Sequence, residues 1–115
     1  MIKALVCLAQ GFEETEAIVP IDILRRSGMD VDVAGVDSIE IISSHNIKIV
    51  CDMEISQANE TYDVVVLPGG MPGSSNLANS FEVLRRVINT SQNGFVCALC
   101  AAPAVLQPDL HPGPG

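Results

Sequence analysis

"IKALVCLAQGFEETEAIVPIDILRRSG", residues 2–28, decides the fold class. Residues 2–9 form an apolar run of strand length, which predicts a strand covered on both faces, as in a parallel sheet. The next residues change period. Glu13, Glu14 and Glu16 cluster where a helix would begin. Ile18, Ile21 and Leu24 then recur at helical spacing, Arg25 and Arg26 fall in the last turn, and Gly28 follows as a C-terminal cap. Pro20 is expected near the first turn, where a missing N–H is tolerated. Strand followed directly by amphipathic helix is the opening of an α/β domain.

The pattern continues outward. Residues 31–36 alternate like a strand, while 39–42 and 47–52 read as two short strands joined by the polar "SSHN". "YDVVVLPGG" is another apolar run, stopped by Pro68, Gly69 and Gly70. Ser80 can cap a helix whose Val83, Leu84, Val87 and Ile88 share one face, and Gly94 breaks it before a last strand over 95–100. Alternating strands and helices predict a doubly wound, mostly parallel sheet with helices on both faces.

Composition narrows the partners. The 115 residues carry fourteen acidic and six basic side chains, a net charge of −8 that repels phosphate backbones and anionic headgroups. Nucleic acid and membrane surfaces are therefore not expected as partners. The apolar start is shorter than a signal peptide's core, and no run of transmembrane length occurs, so a cytoplasmic location with reduced cysteines is the expectation. Cys97 and Cys100 make one C-x-x-C, but Cys7 and Cys51 are isolated, and His45 and His111 show no ligand spacing, so no metal is expected. Cys97, inside "GFVCAL", reads as a core residue. "AQGFEE" lacks the glycine fingerprint of a dinucleotide site.

Three strand ends carry distinctive chemistry: the glutamates after the first, Pro68-Gly69-Gly70 after the middle one, and Cys100-Ala101-Ala102 after the last. In a doubly wound sheet such ends share one cleft. A cysteine on a tight turn between strand and helix would expose its sulfur near helix N-terminal amides. Side-chain-free Gly69 and Gly70 would leave backbone N–H groups open to an oxyanion, and a nearby glutamate would move protons. Each feature alone also has a structural reading: a packed thiol, a turn, a compensated helix dipole.

The stretches "ALVCLAQGFEETEA", "VPIDILRRSG", "YDVVVLPGGMPGSSNL" and "CALCAAPAVL", in that order, resemble the DJ-1/PfpI (ThiJ) superfamily, in particular its DJ-1/YajL-like branch. The resemblance implies a flavodoxin-like fold, a homodimer, and a reactive cysteine at Cys100 with Glu16 as its acidic partner. It also implies backbone oxyanion donors at Gly69 or Gly70 and at Ala101. Arg25 and Arg26 match an arginine pair near the dimer contact, and His45 stands at the pocket edge where the related branch commonly has arginine. Ala101, where the peptidase-like branch has histidine, argues against proteolysis.

The implied activities are cofactor-free glyoxalase or deglycase chemistry on methylglyoxal or its adducts, linked to oxidative-stress protection. The alternative is a non-enzymatic redox sensor or chaperone acting through oxidation of Cys100. The resemblance ends near residue 106, so residues 1–106 read as the N-terminal part of such a domain and 107–115 as a Pro/Gly-rich coil. Family members continue past this point, so a shortened, inactive form is a third reading. The missing elements predict an uncovered sheet face that favours association.

Overall fold

A computed structural model describes residues 1–98. The expected elbow at Cys100, Ala101 and Ala102 and the coil 107–115 lie outside the described residues.

The first strand, β1 (Lys3–Leu8), is the centre of a five-stranded parallel sheet. On one side it pairs with β2 (Asp30–Gly35), which in turn pairs with β5 (Met53–Glu54). On the other it pairs with β6 (Val64–Leu67), followed by β7 (Phe95–Ala98). The order is β5-β2-β1-β6-β7. Its consecutive 2-1 pair followed by a jump to β6 is the flavodoxin-like form, implied by the family resemblance, of the doubly wound sheet that the strand–helix alternation predicts. A separate two-stranded antiparallel hairpin, β3 (Glu40–Ile42) and β4 (Lys48–Val50), follows β2 as expected.

Alternation along the strands divides the core in two. Ala4, Val6, Leu8 and Val66 face one way, against Phe12, Ala17 and Ile21 and the hairpin's Ile41. Leu5, Cys7, Val65 and Leu67 face the other way, against Leu77, Val83 and Val87. The first layer is built by α1 (Glu14–Arg26). The second is built by α2 (Gly73–Ala78), α3 (Phe81–Ser91) and a 3-10 turn at Ile55–Gln57.

Both long helices begin as their sequences dictate. Glu13 caps α1 by accepting from Thr15 N–H at 2.7 Å, and Ser80 caps α3 by accepting from Val83 N–H at 3.2 Å. Three expectations need correction. Pro20 is the seventh residue of α1, in its second turn rather than its first; lacking an N–H, it has nothing to give the carbonyl four residues back, and the helix is held instead by packing of Ala17 and Ile21. Ile18 and Ile88 are exposed, because α1 buries the arc of Ala17 and Ile21 and α3 that of Val83 and Val87. Cys97 is exposed rather than core. It pairs with Val66 on the α1 face of the sheet, but α1 packs on β1 and β2, two strands away, while α3 covers the opposite face of β7.

One buried charge anchors the second layer. Arg86 of α3 is 1% exposed. Its guanidinium donates to the carbonyls of Ala58 (2.8 Å) and Asn59 (3.0 Å) and pairs with the Glu82 carboxylate at 2.8 Å. Every donor direction thus meets an oxygen on the loop before β6 or on its own helix. In the same loop Tyr62 is buried, donates to Asp32 Oδ2 at 2.7 Å and accepts from Asn59 N–H. Burial, then the bond to Asp32, pushes its phenol pKa up.

Candidate functional site

The switch point of the sheet lies between β1 and β6, whose C-terminal ends release two loops side by side. The first, residues 9–13, leads into α1. The second, residues 68–72, leads into α2 and contains a cis Met71–Pro72 bond. Backbone bonds stitch them together. Glu13 N–H donates to Gly69 O at 2.9 Å, Gly73 N–H to Gly11 O at 3.2 Å, and the Asn76 side-chain amide to Gln10 O at 2.8 Å.

Glycine is required where the loops touch. Gly70 has φ +93°, and a Cβ there would sit 2.6 Å from Glu13 N. Gly11 has φ +86°, and a Cβ would overlap the Pro72 ring. Side chains at either position would force the loops apart.

Glu16, one turn into α1, returns the stitch from the side-chain direction: its Oε1 accepts from Gly69 N–H at 2.9 Å. Glu13 N–H to Gly69 O and Gly69 N–H to Glu16 Oε1 form a reciprocal clamp between the start of α1 and the end of β6. Two of the candidate residues, Glu16 and Gly69, are therefore in direct contact. In this arrangement the Gly69 amide serves Glu16, and Gly70 N–H is the neighbouring candidate donor. Cys100 and Ala101 lie outside the described residues.

The candidates at the edge are placed differently. Arg26 is on the outward face of α1 and pairs with Asp22 at 2.7 Å, an exposed i,i+4 pair. Its neighbour Arg25 turns inward, donating to Val31 O and to Asp52 Oδ2 at 3.0 Å, while the same Asp52 oxygen accepts from Val33 N–H. His45 occupies the β3–β4 turn with 70% of its side chain exposed, yet its Nδ1 is 2.6 Å from Glu14 Oε1 and 4.0 Å from Glu13 Oε2. Burial acts to raise the Glu14 carboxyl, but its own backbone N–H, Ser43 and His45 together outweigh this and hold it below the usual carboxylate range.

Sequence reasoning missed the contact between the helix start and the hairpin turn, since 30 residues separate Glu14 from Ser44 and no local signal links them. It also missed a hollow of about 520 Å³ on the other side of the β1 end, walled by Gln10, Asp37, Asn76, Asn79 and Phe81. That hollow includes neither Glu16 nor Gly69.

The three described cysteines are free thiols. No helix among the described residues is long and apolar enough to cross a membrane.

Strand order, the two-sided core and two glycine-bearing loops stitched together at the switch point define a flavodoxin-like α/β protein. The DJ-1/PfpI family matches residues 2–109. Protein dj-1beta of Drosophila melanogaster is 44% identical over 109 residues, covering 90% of this chain and 57% of the fly protein. Glutathione-independent glyoxalase DJR-1.2 of Caenorhabditis elegans is 36% identical over 97 residues, covering 82% of this chain and 51% of the worm protein. The solved structure of oxidized Toxoplasma gondii DJ-1 superposes with a TM-score of 0.90 at 39% identity, covering 94% of this chain and 61% of that one. The chain belongs to the DJ-1/PfpI family. It spans little more than half the length of these relatives.

Proposed function

We propose that this chain carries the cysteine-dependent glyoxalase or deglycase site of a DJ-1-like protein, acting on methylglyoxal or its adducts and protecting against oxidative stress. The observation that supports this reading most is the Glu16–Gly69 bond, which fixes a carboxylate at the switch point where the family resemblance expects the acidic partner of Cys100. The similarity to a relative named a glutathione-independent glyoxalase supports the substrate class.

The chemistry is self-contained. The Cys100 thiolate adds to the aldehyde carbon of an α-oxoaldehyde, and the new oxyanion is held by the Gly70 and Ala101 amides. Glu16 takes the proton from that carbon and returns it to the neighbouring ketone carbon, so the first is oxidised to a thioester as the second is reduced to an alkoxide, which becomes the alcohol by taking a proton from the incoming water. Water then cleaves the C–S bond, releasing a 2-hydroxy acid and the thiol. No external oxidant and no cofactor enter the balance.

Turnover of methylglyoxal to lactate is the test. Cys100→Ala should abolish it, and Glu16→Gln should lower kcat by about 100-fold or more, the usual worth of a positioned acid–base. Unchanged turnover in Cys100→Ala would remove the cysteine from the mechanism. If instead the chain shows no turnover while mild peroxide adds two oxygens selectively at Cys100, the redox-sensor reading replaces it.

The working form in this reading is a homodimer, in the cytoplasm. Its support is the outward face of α1, where Ile18, Val19 and Ile23 are exposed beside Arg26.

A further inference from the structure

We propose that Glu13, Glu14 and His45 form a binding site for one divalent transition-metal ion of the zinc or cobalt type, joining the start of α1 to the β3–β4 turn. Their ligand atoms, two carboxylate oxygens and an imidazole nitrogen, all lie within 4.8 Å of one another. Ligands about 2.0–2.1 Å from a tetrahedral ion stand about 3.3–3.4 Å apart. The observed separations from His45 Nδ1, 2.6 Å to Glu14 and 4.0 Å to Glu13, bracket that value, so small side-chain rotations admit an ion among the three groups.

The two ligand-bearing segments are fixed by backbone bonds that owe nothing to the cluster. Ser44 N–H donates to Phe12 O and Gly11 N–H to Ile42 O, each at 2.8 Å. The turn itself is set by Asn46 at φ +65° and by Ser43 Oγ, which accepts from the N–H groups of His45 and Ile47. Glu13 divides its oxygens: Oε1 caps Thr15 N–H, and Oε2 faces the histidine.

Charge argues in the same direction. Two adjacent glutamates, 27% and 17% exposed, share one imidazole, His45, as their sole ion-pair partner among the described residues. In a chain of net charge −8 this corner collects cations. One nitrogen with two carboxylates suits zinc, cobalt or nickel better than calcium or magnesium, which prefer all-oxygen shells. The exposure of His45 leaves the remaining coordination positions to water, so the site is open. The inference is independent of any chemistry at Cys100.

Titration with Co²⁺, followed by visible absorption, and with Zn²⁺, followed by calorimetry, tests it. One equivalent should bind in the micromolar range, with ligand-field bands and without the sulfur-to-cobalt charge-transfer band that thiolate ligation would add. His45→Arg places a cation beside Glu14 but offers no lone pair. It should retain the fold while weakening metal binding by at least the 10- to 100-fold that loss of a supporting partner costs at metal sites. Glu14→Gln should weaken it too. Overturning outcomes are no saturation below millimolar metal, equal affinity in His45→Arg, or a thiolate band showing that the cysteines hold the ion.

Discussion

Cys7, Cys51 and Cys97 share a side chain and differ in everything around it. Full burial among Leu5, Ala9 and Val65 pushes the Cys7 thiol up to about 12, against a small opposing pull from the Arg86 charge. Burial, reinforced by the negative Asp52 beside it, raises Cys51 to about 11. A raised thiol pKa means less thiolate at any given pH, and the thiolate is the species that alkylates. At pH 8 both groups should stay protonated and inert in the folded chain, while exposed Cys97 labels before either. Raising the pH toward 10 should still leave Cys7 unlabelled until the chain unfolds. Peptide mapping after timed iodoacetamide checks this; early labelling of Cys7 would contradict its place in the core. Gly69, Gly70 and the cluster of Glu13, Glu14 and Glu16 could be read as site candidates because their types and strand-end positions carry the chemistry, and the family resemblance singled out Glu16. The glutamate–glycine bond could not, since it joins residues 53 apart. Cys97 was misread because alternation along a strand says which residues share a face, not whether a helix lies over that face.

The helices show where local signals suffice. An acidic N-terminus, a basic C-terminus and a cap defined α1 to within a residue or two, and Ser80 with its apolar arc defined α3. The short α2 escaped because "GSSNLA" has the composition of a turn; it is helical because Ser74 and Leu77 are buried and Gly73 fits directly against Phe12. A Cβ at Gly73 would lie 2.6 Å from the Phe12 Cα. β5, two residues long, has no period to detect. Nor did Arg86 look different from Arg85 beside it in sequence. Arg85 makes exposed pairs with Glu60 and Glu82, whereas Arg86 is enclosed. Removing one member of a buried, hydrogen-bonded pair strands its partners, at a cost of about 3–5 kcal/mol. Arg86→Leu should therefore destabilise the fold by about 3 kcal/mol in urea unfolding, and Arg85→Leu by less than about 1 kcal/mol. Equal effects would mean that Arg86 does not hold the loop before β6.

At the scale of the molecule, exposed apolar side chains among the described residues gather on the β3–β4 hairpin (Ile39, Ile42, Ile47 and Val50) and at two further places that bear on association. One is the outer face of α1. The other is β7 with α3, where Phe95 is 77% exposed and Ile88 and Cys97 are open as well. A lone 12.2 kDa chain should not remain monomeric with both faces in water. Light scattering should return a mass above 12.2 kDa. Ile23→Glu should lower that mass if α1 is the interface, and Phe95→Glu if β7 is; a compact monomer for the unmodified chain would overturn the expectation. The flavodoxin-like layering was legible because strand–helix alternation sets it. Which faces remain open was legible only in outline, since it depends on how far each helix reaches across the sheet.

The position of β1 has a further consequence. Of the described strands, β1 is made before the others and is the middle of the sheet, and its two neighbours arrive at very different times. β2 follows after one helix, but β6, register partner of Ala4, Leu5 and Val6, begins at Val64. Until β6 is made, a strand buried along Ala4–Leu8 has one row of amides and carbonyls without its eventual mate. Such an edge invites pairing with another nascent chain. The molecule is therefore most vulnerable to misassembly while it is still incomplete, during the interval between residues 35 and 64, and it is the arrival of β6 that closes that interval.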